Sequence, residues 1–451
     1  MGSIEPCVYE PKQAFKTPWI ETPLVESANL SRAAGCRVFL KLENVQPSGS
    51  FKSRAMGNQI LSHLRNPAYA NRPVHFYASS GGNAGLAAVC AARSLGYPCT
   101  VVVPLGTKPL MLQKIRAAGA ADVVRYGETF SEAGEYMREV IMKSKPGEDD
   151  DTAKIALHPF DNQPIWEGNS TIIDELEKQL PSAATAEEEA AYRGRALPVD
   201  AVLCSVGGGG LLNGLVMGLE KRRQQNLGAA RTTPPSPIHL LAIETAGTDS
   251  LAAAIAKKSL VSLPKITSQA TSLGAIRVSE TTFRYAVAPP PGISVHSAVL
   301  TDAEAARGCL RLVDDERYLV ELACGVCIEA AIGDAVPATA TSASSVSAVA
   351  RGQSVKRRKL GAETSGVSIS DEGYGDDRSS SNETDPETEQ EVVVDHAGHE
   401  SSGSPPLKSK LRQLIPDLNS QSRIVIIVCG GSNVTIETAG EWRKLLAEGW
   451  E

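Results

Sequence analysis

A lysine in a glycine- and serine-rich setting is the first candidate for chemistry in this chain of 451 residues. Lys52 lies in the stretch Ser48-Gly49-Ser50-Phe51-Lys52-Ser53-Arg54, and the polar stretch Ser79-Ser80-Gly81-Gly82-Asn83-Ala84-Gly85 follows it. A lysine attacks a carbonyl group only as the neutral amine, so its pKa must be lowered by burial or by a nearby cation. Lys52 together with an open polar loop therefore indicates Schiff-base chemistry on an amino acid.

A strand that runs into four glycines is a candidate anion site. The apolar run 201–206 leads into Gly207-Gly208-Gly209-Gly210, and residues 211–216 then have helical periodicity. Residues without Cβ let backbone N–H groups approach a phosphate closely, and the helix N-terminus adds positive potential. The pattern lacks the Gly-Lys-Ser/Thr of a Walker A loop and the spacing of a dinucleotide fingerprint. It therefore predicts a site for the phosphate of a smaller cofactor.

A second buried strand ends in a cysteine. Residues 424–428 are apolar and β-branched, and they run into Cys429-Gly430-Gly431. A lone cysteine is most often a structural thiol, but open α/β sheets bind ligands at the carboxyl ends of their strands. The position of Cys429 therefore favours a thiol that faces a ligand.

Alternating strands and helices connect these motifs. Apolar runs predict strands at 74–78, 100–104 and 122–126, and helical periodicity predicts helices at 86–95 and 110–118. Together they form a compact βαβαβ unit. This pattern indicates an α/β protein in which the motifs lie at the ends of parallel strands.

In their order and separations, these segments resemble those of the fold-type II pyridoxal-phosphate enzymes, and specifically the catabolic L-serine dehydratase / L-threonine deaminase family. The resemblance covers most of residues 17–332 and 410–447, and Cys429 stands where many other family members have serine. It implies a tryptophan synthase β-like fold of two α/β domains with the cofactor in the cleft between them. The implied large domain comprises residues 1–46, 155–333 and 410–451, and the small domain comprises residues 47–154.

The resemblance also implies roles for individual residues. Lys52 would hold pyridoxal 5'-phosphate and act as the base on the Cα proton, with Phe51 beside the cofactor ring. The other implied cofactor-binding residues are Asn83, Gly207, Gly208, Gly209, Gly210 and Cys429. The implied substrate-binding residues are Ser80, Gly81, Asn83 and Phe160.

A monovalent cation, K⁺, is implied near the glycine loop. The resemblance places it on Glu244, Thr248, Ser250 and the backbones of Leu273 and Ala275. The oxygen-rich, glycine-broken stretch 244–250 suits a hard cation, but an ordinary surface turn explains it equally well.

The reaction implied is β-elimination of L-serine to pyruvate and ammonia, and of L-threonine to 2-oxobutanoate and ammonia. A neutral thiol at Cys429 would not keep the ring nitrogen of the cofactor protonated, which favours loss of the β-hydroxyl over transamination. A threonine deaminase, a serine racemase or another fold-type II enzyme remains an alternative, as does a non-catalytic interaction protein. We expect a homodimer with a small amino-acid substrate and no nucleic-acid partner, acting in amino-acid catabolism that supports gluconeogenesis.

Composition agrees with a cytoplasmic enzyme. The chain is 42% hydrophobic and 22% charged, it has nine cysteines without disulfide spacing, and it has no apolar run long enough for a membrane span. Cys324 and Cys327 have CxxC spacing in an apolar helical pattern, which predicts core thiols rather than a zinc site. Residues 334–409 are predicted to be a disordered low-complexity insert that holds most of the net charge of −7. Its basic cluster, residues 356–359, is either a solvated charge cluster or a nuclear import signal.

Overall fold

Two mainly parallel β-sheets hold the loops that contain the candidate residues. The computed structural model describes residues 15–70, 72–143, 151–226, 236–333 and 409–450. In these residues the larger sheet consists of β1 (Leu24–Glu26), β2 (Arg37–Lys41), β7 (Ala201–Ser205), β8 (Ile238–Thr245), β9 (Ile293–Leu300) and β10 (Arg423–Ile427). Its order is β1-β2-β10-β7-β8-β9, and every pair is parallel except β1 with β2. All residues of β7 and β10 are buried, as expected for central strands covered on both faces.

The smaller sheet contains the predicted βαβαβ unit and one more strand. Its strands are β3 (Val74–Ala78), β4 (Cys99–Val103), β5 (Asp122–Arg125) and β6 (Ala153–Leu157), in the order β5-β4-β3-β6, all parallel. The predicted start of the large domain at Ile155 is wrong, because the whole of β6 pairs with β3. Which sheet β6 joins depends on its pairing partner, and no local sequence signal encodes that partner. The other predicted domain boundaries stay predictions.

The helices around the smaller sheet are α2 (Lys52–Leu64), α3 (Asn83–Ser94), α4 (Pro109–Ala117) and α5 (Phe130–Tyr136). Helix α3 begins three residues earlier than predicted, after Gly82 in an extended conformation. Asn83 is therefore the first residue of a helix and not part of the loop before it. Helix α4 begins at a proline, which suits the first helical position because no N–H is needed there.

The larger sheet is covered by the remaining helices. They are α1 (Ala28–Ala34), α6 (Gln163–Gln179), α7 (Ala186–Tyr192), α8 (Gly210–Asn226), α9 (Ser250–Lys257), α10 (Glu280–Val287), α11 (Asp302–Arg311), α12 (Leu322–Ile332), α13 (Lys410–Leu414) and α14 (Ile436–Ala447). Cys324 and Cys327 are buried in α12, and the described residues contain no group of three or more His, Cys, Asp or Glu side chains suited to a metal. None of the described helices has an apolar stretch sufficient to span a lipid bilayer.

All described residues belong to one compact unit. One large hydrophobic core lies around the six-stranded sheet and a second around the four-stranded sheet. The predicted disordered insert lies outside the described residues except for Ser409, and its basic cluster lies wholly outside them.

Candidate active site

Backbone pairing brings Lys52 next to the cysteine that follows β10. The N–H of Phe51 donates to the carbonyl of Cys429 at 3.1 Å, and the N–H of Gly431 donates to the carbonyl of Gly49 at 2.9 Å. These bonds join two segments that lie near opposite ends of the chain. The first residue of α2 and the end of β10 therefore share one site.

The amine of Lys52 lies in a largely apolar setting. Its Nζ donates to the carbonyl of Pro159 at 2.8 Å and lies 5.1 Å from the ring centroid of Phe51. Burial lowers the pKa of Lys52 to about 8. At pH 7 about a tenth of the Lys52 side chain is therefore the neutral amine, far more than for a solvated lysine, and the neutral amine is the form that Schiff-base chemistry requires.

The glycine loop between β7 and α8 presents free backbone donors. Among the described residues, the N–H groups of Gly207, Gly208 and Gly209 donate to no protein acceptor. They precede the N-terminus of the 17-residue helix α8, whose dipole adds positive potential. A Cβ on Gly208 would lie 2.3 Å from Cδ2 of Phe160, so no side chain fits there. This loop has the chemistry of a phosphate cradle.

The side-chain amide of Asn83 is hydrogen-bonded at both its oxygen and its nitrogen, by residues that follow β10 and precede α12. The N–H of Ser432 donates to Oδ1 of Asn83 at 2.9 Å, and Nδ2 of Asn83 donates to Oε1 of Glu321 at 3.0 Å. The same carboxylate oxygen accepts from the N–H of Asn433 at 2.7 Å. One Nδ2 proton of Asn83 remains available to a ligand oxygen. The sequence interpretation missed Glu321, although a carboxylate directly before the apolar run of α12 was a usable signal.

The thiol of Cys429 is buried at the end of β10. Its Sγ accepts from Oγ of Ser205 at 3.6 Å and lies 3.7 Å from the carbonyl oxygen of Ala323. A hydrogen bond with Cys324 and burial raise the pKa of the Cys429 thiol well above its usual value. The sulfur is therefore neutral at physiological pH, and Ser205 is a contact that the sequence interpretation did not identify.

The remaining candidate substrate residues lie in two loops, after β3 and after β6. Ser80 and Gly81 lie in the loop between β3 and α3, where Oγ of Ser80 accepts from the N–H of Gly82 at 3.4 Å. Phe160 follows β6, directly after the proline whose carbonyl holds Lys52, and its own carbonyl accepts from Nε1 of Trp166 at 3.1 Å. The structure therefore brings Phe160 next to the segment that holds Lys52, while the roles of Ser80 and Gly81 stay predictions.

The candidate cation residues lie beside the glycine loop. Glu244 is fully buried, and its two oxygens accept from the N–H groups of Leu251 and Ala252, each at 2.8 Å. Burial raises the pKa of Glu244 to about 8, and no Lys or Arg among the described residues pairs with it. The Oγ of Ser250 is buried without a hydrogen-bond partner, while Thr248 Oγ1 bonds to Thr245.

The backbone of Leu273 lies against the glycine loop, since a Cβ on Gly207 would be 3.1 Å from Leu273 Cα. The N–H of Ala275 donates to the carbonyl of Leu273 at 2.7 Å. A buried carboxylate without a described cationic partner, next to an orphan hydroxyl, has the donor chemistry that suits a monovalent cation.

These features fit pyridoxal phosphate: free N–H groups for a phosphate, an amide donor for a ring oxygen, and a lysine with a lowered pKa. The two parallel sheets with their ligand loops facing each other form the fold-type II architecture of pyridoxal-phosphate enzymes. The family model described as "Pyridoxal-phosphate dependent enzyme" matches residues 16–352, and the chain belongs to this family.

Individual relatives make the similarity more specific. The chain is 38% identical to "L-serine dehydratase" of Saccharomyces cerevisiae over 311 residues, which cover 68% of this chain and 84% of the relative. It is 37% identical to the human "L-serine dehydratase/L-threonine deaminase", with 69% and 82% coverage. Its fold matches the fungal L-serine ammonia-lyase from Rhizomucor miehei with a TM-score of 0.65 at 24% identity, covering 95% of this chain and 99% of that structure.

Proposed function

We propose that this protein is a pyridoxal-phosphate-dependent L-serine ammonia-lyase that forms pyruvate and ammonia. We also propose that it forms 2-oxobutanoate and ammonia from L-threonine. The observation that carries the proposal is the hydrogen bond from the Phe51 N–H to the Cys429 carbonyl, because it joins the segment that contains Lys52 to the segment that contains the thiol. Two of the relatives reported above are named for serine dehydration, which agrees with this assignment.

Each part of the site has a role in holding the reactants. Lys52 would bind the carbonyl carbon of the cofactor, Phe51 would pack beside its ring, and the backbone of Gly207, Gly208, Gly209 and Gly210 would bind its phosphate. Asn83 would donate its free Nδ2 proton to the ring oxygen. Ser80, Gly81 and Asn83 would bind the substrate carboxylate, and Phe160 would bound the pocket beside Lys52.

Bound pyridoxal phosphate supplies an electron sink for negative charge at the substrate Cα. The substrate amino group would take the place of Lys52 on the cofactor and so release the Lys52 amine, whose lowered pKa makes it able to take the Cα proton on Nζ. Cys429 would offer the ring nitrogen a neutral thiol, which would not protonate it and would favour departure of the β-hydroxyl. The hydroxyl leaves as water, and water then releases ammonia, so that the net products of L-serine are pyruvate and ammonia.

A monovalent cation, K⁺, completes the proposal. Glu244, Thr248, Ser250 and the backbone carbonyls of Leu273 and Ala275 would bind it next to the glycine loop. The buried carboxyl group of Glu244 and the Ser250 hydroxyl without a hydrogen-bond partner support this assignment. The cation would hold Glu244 ionised and steady the loop that binds the phosphate.

The first test measures cofactor and reaction together. The purified protein should show the absorbance of a lysine-bound pyridoxal phosphate, and addition of L-serine should change that spectrum while pyruvate accumulates in a coupled assay. Chiral analysis of the remaining serine separates elimination from racemisation. A protein that binds the cofactor but turns L-serine mainly into D-serine would contradict the proposal.

Lys52→Ala gives the residue-level test. Removing a general base costs roughly 10²- to 10⁴-fold in rate, and here the cofactor anchor is lost as well. Borohydride should fix the cofactor on the peptide that contains Lys52 in the wild type only. Lys143→Ala is the matched control, since Lys143 is exposed and pairs with the exposed Glu139. Labelling of any other lysine would refute the assignment of Lys52.

We further propose a cytoplasmic homodimer that acts in amino-acid catabolism and supplies pyruvate for gluconeogenesis. One yeast relative, 37% identical, is named "Catabolic L-serine/threonine dehydratase", which supports the catabolic part. Light scattering coupled to size-exclusion chromatography tests the dimer, and a monomer at assay concentrations would overturn it.

A further inference from the structure

The substrate loop after β3 has no side chain at position 81, and a threonine from the neighbouring loop fills that space. A Cβ placed on Gly81 would lie 2.6 Å from Cγ2 and 2.7 Å from Oγ1 of Thr107. Gly81 is not among the glycines with positive φ, so its backbone conformation does not require glycine. The side chain of Thr107 is what excludes a side chain at position 81.

The fold explains why these two residues meet. Strands β3 and β4 are parallel neighbours, with Ala78 opposite Val101, so the loops after them lie side by side at the same edge of the sheet. One of these loops contains Gly81 and the other contains Thr107. Gly81 in the first loop has no side chain, and the side chain of Thr107 from the second loop fills that space.

Backbone hydrogen bonds hold the loop that contains Thr107. Its N–H closes a turn by donating to the carbonyl of Pro104 at 3.1 Å, and the N–H of Leu105 donates to the carbonyl of Gly127 at 2.8 Å. Helix α4 begins two residues later. A threonine side chain has one torsion and two heavy atoms on Cβ, so it has few ways to vacate the space.

We propose that Thr107 is a specificity-determining residue. Its side chain limits the volume beside the substrate loop, in the place of a side chain at position 81. This inference rests on the proposed function, because the loop containing Ser80, Gly81 and Asn83 binds the substrate there. Serine and threonine differ by one methyl group. One such group in a pocket changes kcat/KM by about 10- to 200-fold, so a single threonine side chain is large enough to decide between them.

Three substitutions separate the volume of Thr107 from its hydroxyl. Thr107→Ala removes both γ atoms, and we expect the kcat/KM ratio of L-threonine to L-serine to rise by about tenfold or more. Thr107→Val keeps the shape without the hydroxyl, and the ratio should stay within about threefold of the wild type, well below that effect. Thr107→Ser should lie between them. A ratio that changes as much in Thr107→Val as in Thr107→Ala would overturn the volume argument.

A second measurement needs neither cofactor nor substrate. Gly81→Ala in the apoprotein should lower Tm by a few degrees through overpacking, and Thr107→Ala in the same chain should restore most of that loss. Gly82→Ala is the control, because the nearest atom to its Cβ would be Ser80 Oγ at 3.9 Å. Its effect on Tm should be independent of Thr107→Ala.

The two measurements distinguish the possible failures. Additive Tm changes for Gly81→Ala and Thr107→Ala would show that the contact does not limit position 81, and the inference would fail. Coupled Tm changes with elimination of neither amino acid would overturn the proposed function and the specificity role with it, while leaving the contact intact. Coupled Tm changes with the predicted shift in substrate preference would support both.

Discussion

The glycine loops at the ends of β7 and β3 differ in what surrounds them. A Cβ on Gly208 would lie 2.3 Å from Phe160, and a Cβ on Gly210 would lie 2.5 Å from the Phe160 carbonyl oxygen. In the loop after β3, a Cβ on Gly82 would meet nothing closer than 3.9 Å. The loop after β7 is therefore closely packed at its glycines, whereas the loop after β3 is close to Thr107 at Gly81 and open at Gly82. We infer that the loop after β7 is the rigid loop and that the loop after β3 is the adaptable loop at Gly82.

A buried charge cluster joins the two regions near Lys52. Arg54 follows Lys52 by two residues in α2, and α2 packs against both α3 and α6. Its guanidinium donates to Glu43 at 2.7 Å and to Glu175 at 2.5 Å, and Lys41 pairs with the same Glu175. Arg54, Lys41 and Glu43 are fully buried. We infer that this cluster positions the first turn of α2, and with it the amine of Lys52.

Breaking this cluster should have the largest effect on stability. Arg54→Met leaves two buried carboxylates without their main partner, and such a loss costs about 3–5 kcal/mol in the free energy of unfolding. Arg37→Met removes a partly exposed arginine from Glu26 and should cost less than about 1 kcal/mol. Urea unfolding of the apoproteins measures both values. Equal losses in the two variants would show that the cluster does not join the regions.

A pair of glycine substitutions tests the difference between the loops directly. Gly208→Ala should lower the free energy of unfolding by about 1–3 kcal/mol through overpacking against Phe160, and cofactor retention should fall with it. Gly82→Ala should cost less than about 1 kcal/mol, because Gly82 precedes α3 in an extended conformation and has open space around it. Unfolding curves and bound-cofactor absorbance give the result. If Gly82→Ala is the more damaging change, the rigid and adaptable loops have been assigned the wrong way round.

A third prediction concerns pH and K⁺ at the rigid loop. The pKa of Glu244 is about 8 in the folded protein, above the roughly 4.3 of an unfolded glutamate. Between these values the folded state binds more protons, so the free energy of unfolding falls as pH rises. Without K⁺, in a buffer whose only other cation is tetramethylammonium, Tm should fall from pH 5 to pH 8, and K⁺ should reduce that fall.

Glu244→Gln is the control for this prediction. The amide has nearly the shape of the carboxyl group but does not titrate, so the difference in Tm between wild type and variant isolates Glu244 from other ionisable groups. The pH-dependent part of that difference and the response to K⁺ should both disappear in Glu244→Gln. An unchanged K⁺ response in the variant would mean that the cation binds elsewhere.

The smallest effect is expected at Cys429. Its sulfur lies 3.6 to 3.8 Å from the oxygens of Ser205, Ala323 and Gly430, which a serine hydroxyl can also contact, so Cys429→Ser should disturb the packed region little. Activity should fall by much less than the roughly 10²-fold minimum for removing a general base. Cys429→Asp should instead protonate the ring nitrogen, change the cofactor absorbance and slow pyruvate release. A Cys429→Ser variant that binds cofactor but is as inactive as Lys52→Ala would give the thiol a direct chemical role.

The sequence by itself indicated the local elements of this protein. The strands at 74–78 and 122–125, the helix after the four glycines and the strand before Cys429 follow from apolar runs and from glycine positions, which are properties of neighbouring residues. The candidate lysine and glycine loop were identified in the same way. The family resemblance then supplied roles that these patterns could not supply.

Tertiary structure alone decided which of these elements meet. The pairing of β6 with β3, the contact of Glu321 with Asn83 and the packing of Thr107 on Gly81 each join residues that are distant in the chain or belong to separate loops. Local periodicity encodes whether a segment is a strand and which face is apolar, but strand partners depend on the packing of the whole chain. For that reason the sequence predicted the chemistry of the site, while the residues that position and limit it became visible only in the fold.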